Sequence, residues 1–219
     1  MPSPKAKVSA IVVAGGRGTR FGGLKQFADL EGIPVAERSI EACRCVADEV
    51  VLVAPPGTTA THGADQVVGG GDSRAASVRA GLAVIDDEAD LVVVHDAARP
   101  LAAPVLFERV LAALEGDEVA GAVCGLPVTD TIKMLEPADA RRRVTATLER
   151  AALIAVQTPQ AFRVDALRKA HAGEPEATDD AALIEAIGGV VVIVDGDEEN
   201  LKLTSTSDLA TAARCLRAR

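Results

Sequence analysis

The sequence predicts an α/β fold in which a parallel sheet is covered by crossover helices. Three observations carry this expectation. Short runs of Val, Ile and Leu alternate with segments of helical spacing, and turn residues bound the runs. Apolar residues make up 48% of the chain but aromatics only 2%, with no Trp or Tyr, so the core has to be aliphatic, as it is between buried parallel strands and their helices. A length of 219 residues suits one such domain, 1–219, better than two small ones.

In chain order, Val8 to Ala14 reads as a buried first strand that runs into a glycine loop. Pro34 to Val46 has helical spacing, with Val35, Ile40 and Cys43 near one face. Glu49 to Ala54 is a strand closed by Pro55-Pro56-Gly57, and Gly69-Gly70-Gly71-Asp72-Ser73 opens a helix that reaches about Val84. Leu91 to His95 is another continuous apolar run. Val105 to Leu114 reads as a helix, and Val119 to Val128 as a strand interrupted at Gly125 and Pro127. Thr178 is placed to cap a helix whose first turn holds Asp179 and Asp180 and which Gly188 follows. Val190 to Val194 and Ser205 to Leu216 supply the last strand and helix. Thr129 to Arg150 is the exception. Its Pro137, its alternating polar and branched residues and its Arg141-Arg142-Arg143 run suit an exposed hairpin or arm, built for subunit contact or substrate closure.

A net charge of −9 argues against nucleic acid or an anionic membrane as partner, and it requires any anionic ligand to be met by a local concentration of cations. Cys43, Cys45, Cys124 and Cys215 have neither C-x-x-C nor metal-site spacing, which suits small thiols in a reducing compartment. His62, His95 and His171 are too scattered to suggest a metal cluster. The first apolar run is too short for a signal segment or a membrane span, so a soluble cytoplasmic protein is expected.

The loop from Ala14 to Lys25 carries the first chemical signal. Glycines let ligand oxygens approach backbone N–H groups with no Cβ in the way. A P-loop is excluded because Lys25 lies between Leu24 and Gln26, and the dinucleotide fingerprint is excluded because Phe21 stands where its third glycine belongs. There remains a loop with Arg20 and Lys25 beside exposed N–H groups, directly after the first strand of a parallel sheet, where ligands of such sheets bind. A planar guanidinium and a compact ammonium together suit a triphosphate; an ordinary turn with solvated cations is the competing reading.

Two further constellations follow. His95-Asp96-Ala97-Ala98-Arg99-Pro100 places an acid and a base past a buried strand. Asp96 is suited to hold Mg²⁺ while phosphate oxygens and water fill the other positions; alternatively it caps the turn and pairs with Arg99. His95 reads as a hydrogen-bonded structural residue. At Gly70-Gly71-Asp72-Ser73-Arg74, the helix N-terminus is able to read a base edge or an anion, or else Ser73 is only a cap and Arg74 only a surface charge.

Several segments in the same order now resemble one family. They are Lys25-Gln26-Phe27, Gly70-Gly71 with Arg74 and Ser77-Val78, Val92 to Pro100, and Thr129-Asp130-Thr131-Ile132-Lys133. Gln157 to Phe162, Thr178-Asp179-Asp180-Ala181 and Asn200-Leu201-Lys202-Leu203-Thr204 continue the likeness over nearly the whole chain. The sequence resembles the 2-C-methyl-D-erythritol 4-phosphate cytidylyltransferase family of the non-mevalonate isoprenoid pathway. That resemblance implies a Rossmann-like, mostly parallel nucleotidyltransferase sheet and a homodimer formed through the arm at 129–150. It implies CTP as co-substrate and Mg²⁺ on Asp96. Arg20 and Lys25 would act on the transition state at the α-phosphorus, while Ala14, Gly15, Gly16, Gly70, Gly71 and Ser77 would contact the nucleotide. Arg99, Thr131, Arg150, Thr158 and Lys202 would bind the polyol phosphate, with Thr131 and Arg150 reaching over from the partner subunit.

The loop departs from the family's usual Pro-Ala-Ala-Gly by reading Val13-Ala14-Gly15-Gly16. The related ribitol 5-phosphate cytidylyltransferases share Ala-Gly-Gly and Lys-Gln-Phe and are the alternative for the polyol. Ala97-Ala98 and the Thr-Asp-Asp-Ala segment favour the methylerythritol enzymes. A non-catalytic nucleotide-binding protein is the alternative from another class.

Overall fold

The computed structural model describes residues 6–16, 23–116, 118–136 and 142–218. Arg20 and Arg141 therefore lie outside the described residues. Strand β1 (Val8–Val13) leads through a 3-10 turn at Lys25–Phe27 into a small hairpin, β2 (Asp29–Leu30) and β3 (Ile33–Pro34). Then come α1 (Val35–Arg44), β4 (Glu49–Ala54), β5 (Gln66–Gly69), α2 (Arg74–Leu82), β6 (Leu91–Asp96), α3 (Pro104–Ala112) and β7 (Gly121–Pro127). The arm contributes β8 (Lys133–Leu135) and β9 (Val144–Thr147), and a 3-10 turn at Arg150–Ala152 leads into β10 (Ile154–Arg163). The chain finishes with α4 (Val164–Ala170), α5 (Asp180–Ala186), β11 (Val191–Asp195) and α6 (Thr206–Ala218).

The seven-stranded sheet has the order β11-β7-β10-β6-β1-β4-β5. Every pairing in it is parallel except those of β10, which runs antiparallel to both β6 and β7. The mostly parallel α/β expectation therefore holds. The strand that breaks the rule was not foreseen. In β10 the sequence reads Gln157-Thr158-Pro159-Gln160, three polar residues and a proline that hide the strand pattern even though all four are buried. The short edge strand β5 and α4, which has no capping side chain at its start, are also not signalled by the sequence.

Helices cover both faces. Ile40 and Cys43 of α1 and Leu106, Phe107 and Val110 of α3 pack on one face, against Val12, Leu52 and Val93. On the other, Val78 and Leu82 of α2, Leu167 of α4 and Ile184 of α5 pack against Ile11, Val51 and Val92. Each such aliphatic side chain, fully withdrawn from water, stabilises the fold by about 1.5–3 kcal/mol before entropy is counted. α6 packs separately, with Ala212 against Leu30, Leu101 and Leu203. Among the described residues no helix is long and apolar enough to cross a membrane.

Two local expectations change. Asp179, not Thr178, caps α5, accepting from Ala182 N–H at 3.1 Å. Gly125 does not interrupt β7. A Cβ there would stand 2.3 Å from Ile154 Cγ2, so the glycine admits the close passage of β10. At 129–150, β8 and β9 form an antiparallel pair with Lys133 opposite Thr147, the hairpin expected from the sequence.

Candidate functional site

From β1 the chain first winds outward to β4 and β5, then returns to β6 on the other side. The strand order therefore reverses between β1 and β6, and Val13 and Asp96 face each other at the carboxyl ends of those strands. A crevice opens at such a reversal, and ligands of open α/β sheets occupy it. The glycine loop and Asp96 leave the sheet there side by side.

A cavity of about 270 Å³ sits at this point. Ala14, Gly15, Gly16 and Lys25 line it from the loop, Gly71, Arg74 and Ser77 from the start of α2, and Asp96 and Lys202 close it. Gly15 and Gly70 pack over Ser77: a Cβ would lie 3.1 Å from Ser77 Oγ at Gly15, and 3.0 Å at Gly70. The Ser77 hydroxyl is occupied locally, donating to Ser73 C=O at 2.8 Å. Ser73 caps α2 by accepting Ala76 N–H at 3.0 Å, so that reading of Ser73 is correct as far as it goes. Lys25 Nζ donates to Leu203 C=O at 2.8 Å, and Gln26 Nε2 donates to Gly16 C=O at 3.1 Å, tying the loop to its surroundings.

A second cavity of about 300 Å³ adjoins the first and shares Arg74, Asp96 and Lys202 with it. Arg99, Thr158, Gln157, Gln160 and Asp179 are among its other lining residues. The two cavities thus meet at one carboxylate between two cations. Lys202 Nζ lies 2.6 Å from Asp96 Oδ2, and Arg74 Nε 3.3 Å from Asp96 Oδ1. Burial alone would push the Asp96 carboxyl up, but Arg74 and Lys202 outweigh it and hold the group well below the usual carboxylate range. Asp96 is an anion at any physiological pH.

The Asp96 backbone is also fixed. Its N–H donates to Thr158 Oγ1 at 3.0 Å, and Thr158 Oγ1 lies 3.1 Å from His95 Nδ1. His95 Nε2 faces Arg99 C=O at 3.2 Å. A carbonyl only accepts, so Nε2 carries the proton, and Nδ1 accepts from the Thr158 hydroxyl. His95 is fully buried, and burial pushes its pKa down to about 4. It is a neutral structural bridge, as expected.

Arg99 does not pair with Asp96 as the turn reading proposed. Its Nη1 donates to Asn200 C=O at 2.7 Å, while Asn200 Nδ2 donates to Thr158 C=O at 2.9 Å. Arg74 is no surface charge either; it links Asp96 to the buried Asp180 at 2.6 Å. Sequence reasoning left Arg74 undecided because its partners lie far away in the chain. Gln157 and Gln160 were missed as lining residues for the same reason that β10 was missed. Thr131 and Arg150 are exposed on or beside the arm and line neither cavity; Arg150 Nη1 donates to Thr129 C=O at 2.8 Å.

Residues 8–218 match the family described as IspD, 2-C-methyl-D-erythritol 4-phosphate cytidylyltransferase. The protein of that name from Acidobacterium capsulatum is 39% identical over 97% of this chain and 98% of its own length. The one from Frankia casuarinae is 42% identical over 98% of this chain and 85% of its own. A bifunctional enzyme IspD/IspF from Anaeromyxobacter is 41% identical over 97% of this chain, which spans only 58% of that longer protein. Among solved structures, the 2-C-methyl-D-erythritol 4-phosphate cytidylyltransferase of Thermus thermophilus superposes with a TM-score of 0.78 at 34% identity, covering 95% of this chain and 98% of that one. With the switch-point crevice, the matched residues and these likenesses in agreement, the chain belongs to the 2-C-methyl-D-erythritol 4-phosphate cytidylyltransferase family.

Proposed function

We propose that the protein transfers the cytidylyl group of CTP to 2-C-methyl-D-erythritol 4-phosphate and releases pyrophosphate, a step of isoprenoid precursor biosynthesis. The observation that carries this reading is the meeting of two cavities at Asp96, Arg74 and Lys202. A nucleotide in the first and a polyol phosphate in the second would bring the attacking oxygen to the α-phosphorus at that junction. The methylerythritol name borne by the relatives favours this polyol over ribitol 5-phosphate.

The chemistry asks for no general base, because a phosphate monoester with a second pKa of about 6 is already largely dianionic at neutral pH. The barrier is the approach of two polyanions, worsened by a chain of net charge −9. Local cations have to overcome it. Arg20 and Lys25 would neutralise the charge that develops on the triphosphate. Gly15 and Gly16 admit its oxygens to the backbone N–H groups. Arg99, Thr158 and Lys202 would hold the attacking phosphate, and Thr131 and Arg150 would come from the partner's arm in a homodimer.

Mg²⁺ fits the donor set. Among the described residues no cluster of three or more His, Cys, Asp and Glu could hold a metal ion alone, but an ionised Asp96 suffices when phosphate oxygens and water supply the other positions. Bound there, the ion would add positive charge at the triphosphate. The same reading makes this a cytoplasmic enzyme with small-molecule substrates and neither nucleic acid nor membrane as partner, which the acidic net charge supports.

The test is pyrophosphate release with and without Mg²⁺, crossing CTP, UTP, ATP and GTP with methylerythritol phosphate and ribitol phosphate. Release is expected with CTP and methylerythritol phosphate. Preference for ribitol phosphate would overturn the substrate, and no release with any pair would leave a nucleotide-binding protein. Loss of Lys25 as Lys25→Ala should cost on the order of 10²–10³ in rate.

A further inference from the structure

Arg74, the first residue of α2, faces two carboxylates at once. Its Nη1 lies 2.6 Å from Asp180 Oδ2, and its Nε lies 3.3 Å from Asp96 Oδ1. Asp180 opens α5, is 1% exposed, and lines neither cavity. Its second oxygen lies 2.9 Å from His171 Nε2, at the end of α4. A row of polar groups therefore runs from the buried α4–α5 corner into the centre of the crevice: His171, Asp180, Arg74, Asp96, Lys202.

A guanidinium between two carboxylates is held chiefly by the nearer and drier one. That is Asp180. Its contact is shorter than the Asp96 contact by 0.7 Å, the difference between 3.3 and 2.6 Å. Asp96 Oδ1 is thereby oriented by Arg74 but only loosely occupied. Were Asp180 uncharged, Arg74 would be drawn onto Asp96 as a paired fork, and that oxygen would be lost to any cation brought by the triphosphate.

We propose that Asp180 is a positioning residue for the transfer reaction: it anchors Arg74 so that the guanidinium steers the Asp96 carboxylate without capturing it. This rests on the reading of Asp96 as the group that faces the triphosphate and its cation. Asp180 acts on the site through Arg74 and Asp96, not by touching a substrate.

The experiment is calorimetric titration with Mg²⁺·CTP, without the polyol phosphate, of the wild type, Asp180→Asn, Asp96→Asn and the double variant, with thermal unfolding of each. Asp180→Asn should weaken binding about tenfold or more in the wild-type background, as outer partners of a metal-binding carboxylate do. In the Asp96→Asn background it should change binding by less than about twofold, because its route is gone. No loss in the wild type, or the same loss in both backgrounds, would overturn the proposal. Asp96→Asn that binds as tightly as the wild type would sink the Asp96 assignment and this proposal with it; a weakened Asp96→Asn with additive Asp180→Asn sinks this proposal alone. If Asp180→Asn does not fold, Arg74→Lys keeps a cation beside Asp180 but cannot span both carboxylates, and the same non-additive loss is expected.

Discussion

Lys202 reaches across 106 residues of sequence to place its Nζ 2.6 Å from Asp96 Oδ2. The ion pair is lopsided, with the Lys202 side chain 45% exposed and that of Asp96 only 10%. Removing Lys202 would leave the buried Asp96 carboxylate to Arg74 alone, which should cost about 1–3 kcal/mol. Lys202→Met should therefore lower the unfolding midpoint by a few degrees while the protein still folds. If Lys202 holds the attacking phosphate, the same variant should lose on the order of 10²–10³ in kcat/KM. Steady-state kinetics beside thermal unfolding checks both halves, and an unchanged kcat/KM in the folded variant would contradict the assignment.

Glycine positions separate packing from ligand contact. Among the described residues a Cβ at Gly16 meets no heavy atom within 4 Å, whereas one at Gly71 would stand 2.4 Å from Ala76 Cβ. Gly16→Ala should keep full stability yet raise the KM for CTP by an order of magnitude or more, since about 1.4 kcal/mol of lost binding gives tenfold. Gly71→Ala should lose roughly 1–3 kcal/mol of stability by overpacking the start of α2. Denaturation and CTP saturation curves on the two variants distinguish the effects.

Thr158 serves two buried groups with one hydroxyl, accepting Asp96 N–H and donating to His95 Nδ1. Thr158→Val has the same shape but leaves both without a partner, which should cost about 2–4 kcal/mol. Thr158→Ser retains the hydroxyl and should recover most of that. Equal stability of the Val and Ser variants would mean that the bridge is not made.

Stability should fall in mild acid for a nameable reason. His95 is held at about 4, against 6.5 for the unperturbed group. Between those values the unfolded chain binds a proton that the folded chain refuses, so stability is full above about pH 6.5 and declines towards pH 4, by up to about 3 kcal/mol. Asp96 has the depressed carboxylate's sign: its contribution is complete above the unfolded value and is lost only in stronger acid, below the His95 window. Chemical denaturation in metal-free buffer from pH 7.5 to 4.5 should show the slope in the wild type and a much smaller one in His95→Asn.

Subunit exchange tests the arm. If Arg150 serves the partner's site, a mixture of inactive Lys25→Ala and Arg150→Ala dimers should regain activity, since each mixed dimer rebuilds one intact site. Random exchange between two-fold symmetric dimers would restore about a quarter of wild-type activity. Were Arg150 to act within its own subunit, mixed dimers would contain no intact site and the mixture would stay inactive.

Much of the sheet was legible because its signal is local. β4 spans Glu49–Ala54 as read, and β1 and β6 differ from their apolar runs by a residue at the end. The glycine loop and Asp96 follow from those runs alone, whereas the reversal of strand order between β1 and β6 is visible only in the folded sheet. What stayed hidden depends on distance along the chain. The alternative reading of Asp96 pairs it with nearby Arg99, but its cations come from α2 and from Lys202, and no spacing rule connects them. β10 was hidden because it carries site residues, so its polar side chains broke the strand pattern at the place where the sheet meets the cavity. Arg20 and part of its loop lie outside the described residues.

The segment bearing Lys202 belongs to no helix or strand, yet it is tied from several sides. Asn200 bonds Thr158, Arg99 holds Asn200 C=O, Leu203 N–H reaches Ala98 C=O, and Asp208 accepts from Thr204 and Ser205. Its ordering entropy is therefore lost on folding, not on each encounter with substrate. The Leu203 amide should exchange its hydrogen about as slowly as a strand amide.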